Sequence, residues 1–259
     1  MKSRLDKLLF QRGLAPSRER AQALILAGRV LVNEQKLEKA GTRVEEDVAI
    51  RVLGDDQPFV SRGGLKLARA LEHWRIDVRD KCCMDVGAST GGFTDCLLQS
   101  GASRVLAVDT GYGQMDPRVR ADPRVQLLEK TNARYLTPEQ IWANPGTREL
   151  ITLVAMDVSF ISATLVLPAV VRCARASSLG NGFDLVLLVK PQFEVGRGQV
   201  GKGGIVRDPQ AQQGAVTKVA DAVQELGGTE IEVIESPIFG AEGNREFLLH
   251  ACFPPLPAK

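Results

Sequence analysis

The chain has 259 residues, 44% hydrophobic and 25% charged, the balance of a folded globular protein, which excludes wholesale disorder. At roughly 150 residues per domain, this length suits one large domain or one with a small module attached. The net charge of +2 is too mild for a globally cationic nucleic-acid binder, but residues 1–53 hold eleven Lys/Arg against seven Asp/Glu, a local surplus of +4.

Within residues 4–13, Leu5, Leu8 and Leu9 recur at helical spacing, and Gly13 closes the segment. Ser17 is placed to N-cap a second helix, with Ala21, Leu24 and Ile25 on one face and Gly28 as its stop. Residues 30–32 read as a strand, Asn33-Glu34 as a turn and residues 48–52 as another strand. The expectation is a compact basic α+β module over residues 1–53, then a linker at 54–60 around Gly54-Asp55-Asp56-Gln57-Pro58. Its surplus charge is a handle for an anionic partner.

The rhythm changes over residues 61–259. Ser61 is expected to cap a helix running to about Trp74, with Leu65, Ala68 and Leu71 on its buried face. Apolar strand-like runs follow at 82–86, 105–109, 125–128, 151–157 and 184–190, with 229–235 and 247–252 completing seven. Strands alternating with helices predict an α/β fold whose sheet is mostly parallel and covered on both faces. The short connection near 240–244 predicts an antiparallel last strand.

The cysteines, Cys82, Cys83, Cys96, Cys173 and Cys252, are odd in number and two are adjacent, an awkward disulfide framework. Reduced thiols and a cytoplasmic location are expected. With no C-x-x-C pair and only His73 and His250 as histidines, no metal is expected. The start of the chain turns acidic at Asp6 before a signal-peptide core can form. The most apolar stretch, 153–171, is interrupted by Asp157 and Pro168, so no membrane span is expected.

The sharpest local feature is Asp85-Val86-Gly87-Ala88-Ser89-Thr90-Gly91-Gly92-Phe93, a small-residue turn between a strand and a helix. Such a turn lets a ligand approach backbone N–H groups at a helix N-terminus. A dinucleotide fingerprint needs glycine where Ser89 stands. Asp85, which would repel a pyrophosphate, suits a cationic ligand such as S-adenosylmethionine. Asp109 ends the next strand where a ribose diol is gripped in sheets of this kind. A tight turn with no ligand, or a nicotinamide site, are the alternatives. Gly196, Gly201 and Lys202 mimic a P-loop, but Gly203 replaces the hydroxyl residue that magnesium needs. That segment, with Arg197, Lys202 and Arg207, reads either as a surface loop or as one that closes over RNA phosphate.

Lys190 and Asp157 each end an apolar run, an expensive place for a charge. In a parallel sheet both would point into the crevice beyond the strand ends. A solvated lysine or a structural salt bridge explains each singly; together they suggest activation of a hydroxyl. An amine accepts a proton only when neutral, a form that a neighbouring cation favours and Asp157 opposes.

Several blocks carry a resemblance. Arg4-Leu5-Asp6, Ser17-Arg18, Gly28-Arg29-Val30 and Val32-Asn33 resemble the S4 RNA-binding domain. Ser61-Arg62-Gly63-Gly64-Leu65-Lys66, the Asp85 turn, Asp157-Val158-Ser159-Phe160-Ile161-Ser162, Val189-Lys190-Pro191-Gln192-Phe193-Glu194 and Gly243-Asn244-Arg245-Glu246 resemble FtsJ-like 2′-O-methyltransferases. The combination resembles the TlyA family, ribosomal RNA cytidine-2′-O-methyltransferases once called hemolysins. That resemblance implies a Rossmann-like class I methyltransferase fold, S-adenosylmethionine as cofactor and ribosomal RNA or ribosomal subunits as partner. It implies a Lys66, Asp157, Lys190, Glu246 tetrad, with Lys190 activating the hydroxyl. Asp85, Gly87, Ser89, Gly91, Asp109, Asn132 and Asp157 are expected at the cofactor, and Arg4, Lys7, Arg18, Arg20 and Arg29 at RNA phosphates. Two other readings stand beside it: a pore-forming hemolysin and a non-catalytic RNA-binding assembly factor. Separation of Lys190 from Asp157 would favour the latter.

Overall fold

The computed structural model describes residues 2–15, 17–53, 58–142, 149–177, 181–240 and 242–255. The predicted linker positions 54–57 and the Arg197 side chain lie outside the described residues. Backbone packing divides the chain into two units, Met1–Pro58 and Phe59–Lys259.

The first unit runs β1 (Lys2–Arg4), α1 (Leu5–Gln11), α2 (Arg18–Leu26), β2 (Val30–Val32), β3 (Gln35–Lys36), β4 (Arg43–Glu45) and β5 (Ile50–Val52). Strand β1 pairs with β4, and β2 lies between β3 and β5, all antiparallel. Leu5, Leu9, Ala21, Ile25 and Val30 are fully buried between the helices and the small sheet. Ser17 caps α2 as expected, accepting a hydrogen bond from the Arg20 amide at 3.2 Å. Asn33 and Glu34 take positive φ of 50° and 62°, the primed turn that joins two twisted antiparallel strands. Strands β1, β3 and β4 are absent from the sequence expectation because two or three residues carry no readable alternation.

Asp6 is fully buried yet charged. Arg4 forks onto it at 3.0 and 3.1 Å, and Arg18 and Gln22 donate at 3.1 and 2.8 Å. The Arg4 hydrogen bond, with help from Gln22, Arg18 and the Lys7 amide, holds this carboxyl well below the usual carboxylate range despite its burial. Arg4 and Arg18 serve this buried acid while staying exposed themselves, and Arg29 donates to the Leu53 carbonyl at 2.8 Å. Lys7 and Arg20 are exposed as well.

The second unit runs α3 (Gly63–His73), β6 (Cys82–Val86), α4 (Gly92–Gln99), β7 (Arg104–Val108), α5 (Pro117–Arg120), β8 (Val125–Leu128), α6 (Pro138–Ile141), β9 (Ile151–Met156), α7 (Ala163–Ser177), β10 (Phe183–Val189), α8 (Pro191–Glu194), α9 (Pro209–Glu225), β11 (Thr229–Glu235) and β12 (Phe247–Phe253). Among the described residues, seven strands form one sheet in the order β11-β12-β10-β9-β6-β7-β8. The pairings are parallel except where β12 lies antiparallel between β10 and β11. Alternate residues of the central strands feed two cores. Met84, Leu106, Val154 and Leu187 face Leu167 and Val170 of α7 and Val219 of α9. Cys83, Val105, Leu153 and Val186 face Leu67 of α3 and Leu97 of α4. The double coverage explains the near-continuous apolar runs. Helix α3 starts at Gly63, with Arg62 as its N-cap residue and no side-chain cap. The expected Ser61 cap is therefore not made.

Asp6→Ala should destabilise the first unit by about 1–3 kcal/mol, because the exposed arginine heads can rehydrate. Because its folded carboxyl ionises more readily than the unfolded one, its contribution holds above the ordinary carboxylate range and is lost as pH falls. Denaturant unfolding at pH 7 and pH 3 should show a smaller difference in the variant; equal acid sensitivity would remove Asp6 as the cause.

Candidate active site at the carboxyl ends of the strands

Gly87, Asp109, Asp157 and Lys190 each follow directly on the last residue of a strand, β6, β7, β9 and β10. Parallel strands bring these ends to one edge of the sheet, where ligands of open α/β folds sit. Gly87 has φ of +90°, and a Cβ there would come 2.4 Å from the Asp157 carbonyl oxygen. The Gly87 amide donates to Val108 at 2.8 Å and the Asp157 amide to Val86 at 2.9 Å, so the three strand ends are laced together.

Two cavities open here. One of about 370 Å³ is lined by Gly87, Ser89, Asp109, Asn132 and Asp157, among others. A second of about 270 Å³ is lined by Lys66, Asp157, Lys190 and Glu246, with Ser61, Arg62 and Phe239. They share Gly87, Ser89 and Asp157. In the first, Asp109 accepts the Ser89 amide at 2.8 Å and the Gly111 amide at 2.6 Å, and each oxygen keeps a lone pair for a further donor. Asn132 caps a short turn through the Arg134 amide at 3.0 Å.

Each lysine of the second cavity has its own carboxylate. Lys66, 8% exposed, donates to Glu246 at 2.5 Å. Lys190 Nζ lies 2.6 Å from Asp157 Oδ1 and donates to Ser159 Oγ at 2.6 Å. The Asp157 contact is an ion pair without hydrogen-bond alignment, so that oxygen still lacks a hydrogen-bond donor. Lys66, a cation that shares this cavity with Lys190, is therefore balanced by Glu246.

Two expected cofactor contacts lie elsewhere. Gly91 packs towards Met115 and Val119 as the left-handed N-cap of α4, outside both cavity walls. Asp85 is fully buried beneath the turn, because side chains alternate along a strand and its own points towards α4. Thr94 donates to its Oδ2 at 2.6 Å, while Oδ1 is buried with no hydrogen-bond partner. Burial, reinforced by the charges of Asp157 and Asp109, pushes this carboxyl up to about 7 against the Thr94 hydrogen bond. Asp85 lines neither cavity.

Sequence reasoning passed over Arg62, Ser159 and Phe239. Ser159 was findable two residues beyond Asp157; Phe239, 59% exposed, carries no local signal. Asn244, fully buried, ties the 196–207 loop to the turn that carries Glu246. It accepts from the Val206 amide at 3.0 Å and donates to the Gly204 carbonyl at 2.9 Å.

Comparison with known proteins identifies the family. The FtsJ-like methyltransferase family matches residues 59–253, and the S4 domain matches residues 3–50. A 16S/23S rRNA (cytidine-2′-O)-methyltransferase, TlyA of Mycobacterium tuberculosis, is 49% identical over 96% of this chain and 89% of its own. Hemolysin A of Brachyspira hyodysenteriae is 39% identical, covering 95% of this chain and 98% of its own. A solved structure from Streptococcus thermophilus, described as a hemolysin, superposes with a TM-score of 0.73 at 38% identity, covering 98% of this chain and 89% of its own. The chain is therefore an FtsJ-like methyltransferase with an S4 domain, and it belongs to the TlyA family. Among the described residues, no helix is long and apolar enough to cross a membrane.

Because the folded Asp85 carboxyl ionises only near pH 7, it favours folding at low pH and opposes it as pH rises from about 4 through 7. Asp85→Asn should flatten that part of the stability profile, read as Tm against pH. An unchanged slope would show that Asp85 is not its source.

Proposed function

We propose that this enzyme transfers a methyl group from S-adenosylmethionine to the 2′-hydroxyl of a cytidine in ribosomal RNA, with Lys190 taking the hydroxyl proton. The observation that carries the reading is the meeting of the two cavities at Gly87, Ser89 and Asp157, with the Lys190–Asp157 pair in the second.

The first cavity fits S-adenosylmethionine. Its volume is in the range of ligand pockets, and Gly87 leaves its floor open. Asp109 is placed to accept from a ribose diol, and the Thr131–Asn132–Ala133 stretch to flank an adenine. The unpartnered Asp85 oxygen adds negative potential beneath the turn, which favours a cationic ligand. When bound, S-adenosylmethionine supplies a methyl group on a positively charged sulfur.

The second cavity orients the acceptor. Lys190, once its ammonium has given one proton to water, takes the 2′-hydroxyl proton as the oxygen attacks in line, and Asp157 holds the ammonium that re-forms. That attraction is strongest after proton transfer, so it favours the transition state over the ground state. Ser159 fixes the amine's direction, and the Lys66–Glu246 pair shapes the wall and tethers α3 to the chain before β12. Exposed Arg62 suits a phosphate beside the reactive ribose, and Lys7 and Arg20 of the first unit suit other phosphates of the RNA. The assembly-factor reading is disfavoured, because Lys190 and Asp157 share one cavity instead of lying apart.

Lys190→Ala should lower methyl transfer by at least about 100-fold while calorimetric affinity for S-adenosylmethionine stays within about twofold; undiminished transfer removes Lys190 from the chemistry. Mapping 2′-O-methylation on ribosomal RNA with and without the enzyme should reveal methylated cytidines lost together with it. Lys7→Ala combined with Arg20→Ala should weaken RNA binding and lower the salt slope by about one per lost contact; an unchanged slope would put the phosphate contacts elsewhere.

A further inference from the structure

Away from the methyl-transfer cavities, strands β10, β11 and β12 bring together side chains that are far apart in the sequence. On β12, His250 and Cys252 are two residues apart and so share a face. Asp184 of β10 is the register partner of Cys252. On the other side of β12, the pairing with β11 shifts between Thr229 and Glu232, and Glu230 takes a φ of +52°. A bulge of this kind re-aims a side chain, and Glu230 Oε2 comes to 3.5 Å from Cys252 Sγ.

We propose that Asp184, His250 and Cys252 bind one divalent cation of the zinc class, with Glu230 beside Cys252 at its edge. Asp184 Oδ1, His250 Nε2 and Cys252 Sγ all lie within 4.8 Å of one another. Tetrahedral zinc, with bonds of roughly 2.0–2.3 Å, separates its ligand atoms by about 3.3–3.7 Å. Cys252 Sγ stands 3.5 Å from Asp184 Oδ1, the length of such an edge. The His250 Nε2 to Asp184 Oδ1 distance, 2.9 Å, is that of a hydrogen bond and opens by about half an ångström when a metal replaces the proton. Imidazole, thiolate and carboxylate donors select zinc over magnesium or calcium, which require oxygen. Among the described residues, no lysine or arginine pairs with Asp184 or Glu230, so the anionic cluster has no other fixed cation.

The neighbouring shell is in place. Trp74 stacks on the His250 ring at 5.1 Å and 25°, and its Nε1 donates to Glu232 at 2.9 Å, fixing the imidazole plane from the end of α3. On binding, the Cys252 thiol releases its proton to water as the sulfur–metal bond forms, and the proton on His250 Nε2 passes through water to Nδ1 as Nε2 takes the metal. None of these residues lines either cavity, so the cation staples β10 to β12 at one side of the sheet and takes no part in methyl transfer.

The test is cobalt(II) and zinc titration of chelator-treated full-length protein. One equivalent of cobalt should give a thiolate-to-metal charge-transfer band in the near ultraviolet, displaced by zinc, and zinc should raise Tm. Cys252→Ser should abolish the band. His250→Ala and Asp184→Asn should weaken affinity by at least the roughly 10–100-fold that follows loss of even an outer partner. Cys82, Cys83, Cys96 and Cys173 are buried and remain as internal controls. Should Cys252→Ser fail to fold, near-isosteric Asp184→Asn decides the matter. No band in the wild type, or equal cobalt affinity in wild type and Asp184→Asn, would overturn the proposal.

Discussion

Gly87 and the Asp157 carbonyl meet where β6 and β9 leave the sheet, so closely that any side chain at Gly87 would collide with that oxygen. Both cavities take their shape from this contact. Because the backbones touch, the turn after β6 and the acid after β9 form one continuous wall. The space on one side fits a nucleoside-sized ligand, and the space on the other holds the charged pairs. A larger residue at position 87 would part the strands and separate donor from acceptor, and a displacement of about 1 Å is costly to a reaction that depends on alignment.

Around that contact, charge is buried in matched couples. Lys66 with Glu246 and Lys190 with Asp157 are each a cation and an acid held within 2.6 Å. Burying such a pair gains little net stability, whereas stripping one partner leaves an uncompensated charge that costs about 3–5 kcal/mol when fully buried. Stability therefore does not explain their presence. What they provide is position: an amine held by two oxygens, Asp157 Oδ1 and Ser159 Oγ, at the wall where an acceptor hydroxyl must arrive. Asp85 is the exception, a buried acid with one oxygen unpartnered. Burial holds it near its point of ionisation at neutral pH, and the nearby acids raise the negative potential that a cationic ligand relieves.

The small N-terminal unit follows the same logic on a smaller scale. Its two helices pack through buried leucines, and the buried Asp6 gathers Arg4, Arg18 and Gln22 into one network linking them. The arginines that make the segment basic also hold its shape. Their guanidinium groups have more donors than Asp6 can accept, which leaves N–H groups for a phosphate without dismantling the core. Local cationic charge and local stability thus draw on the same side chains.

Fold class was legible because it rests on short-range pattern. Apolar runs of strand length at even spacing mark a doubly covered sheet, and Gly87 and Ser89 mark a turn that leaves ordinary backbone space. Lys190 and Asp157 were recognisable because a charge ending an apolar run is costly unless something answers it. Alternation along β6, by contrast, sent the Asp85 side chain to the α4 side, beneath the turn and out of both cavities, a burial that the turn's own sequence hides. Nor does any spacing disclose that Asp6 claims Arg4 and Arg18, or that each tetrad lysine has a private carboxylate. The cluster of Asp184, Glu230, His250 and Cys252 arises from strand order and one bulge. Local pattern determined the elements and the chemical types at their ends; which side chains meet depended on strand register, a property of the whole sheet.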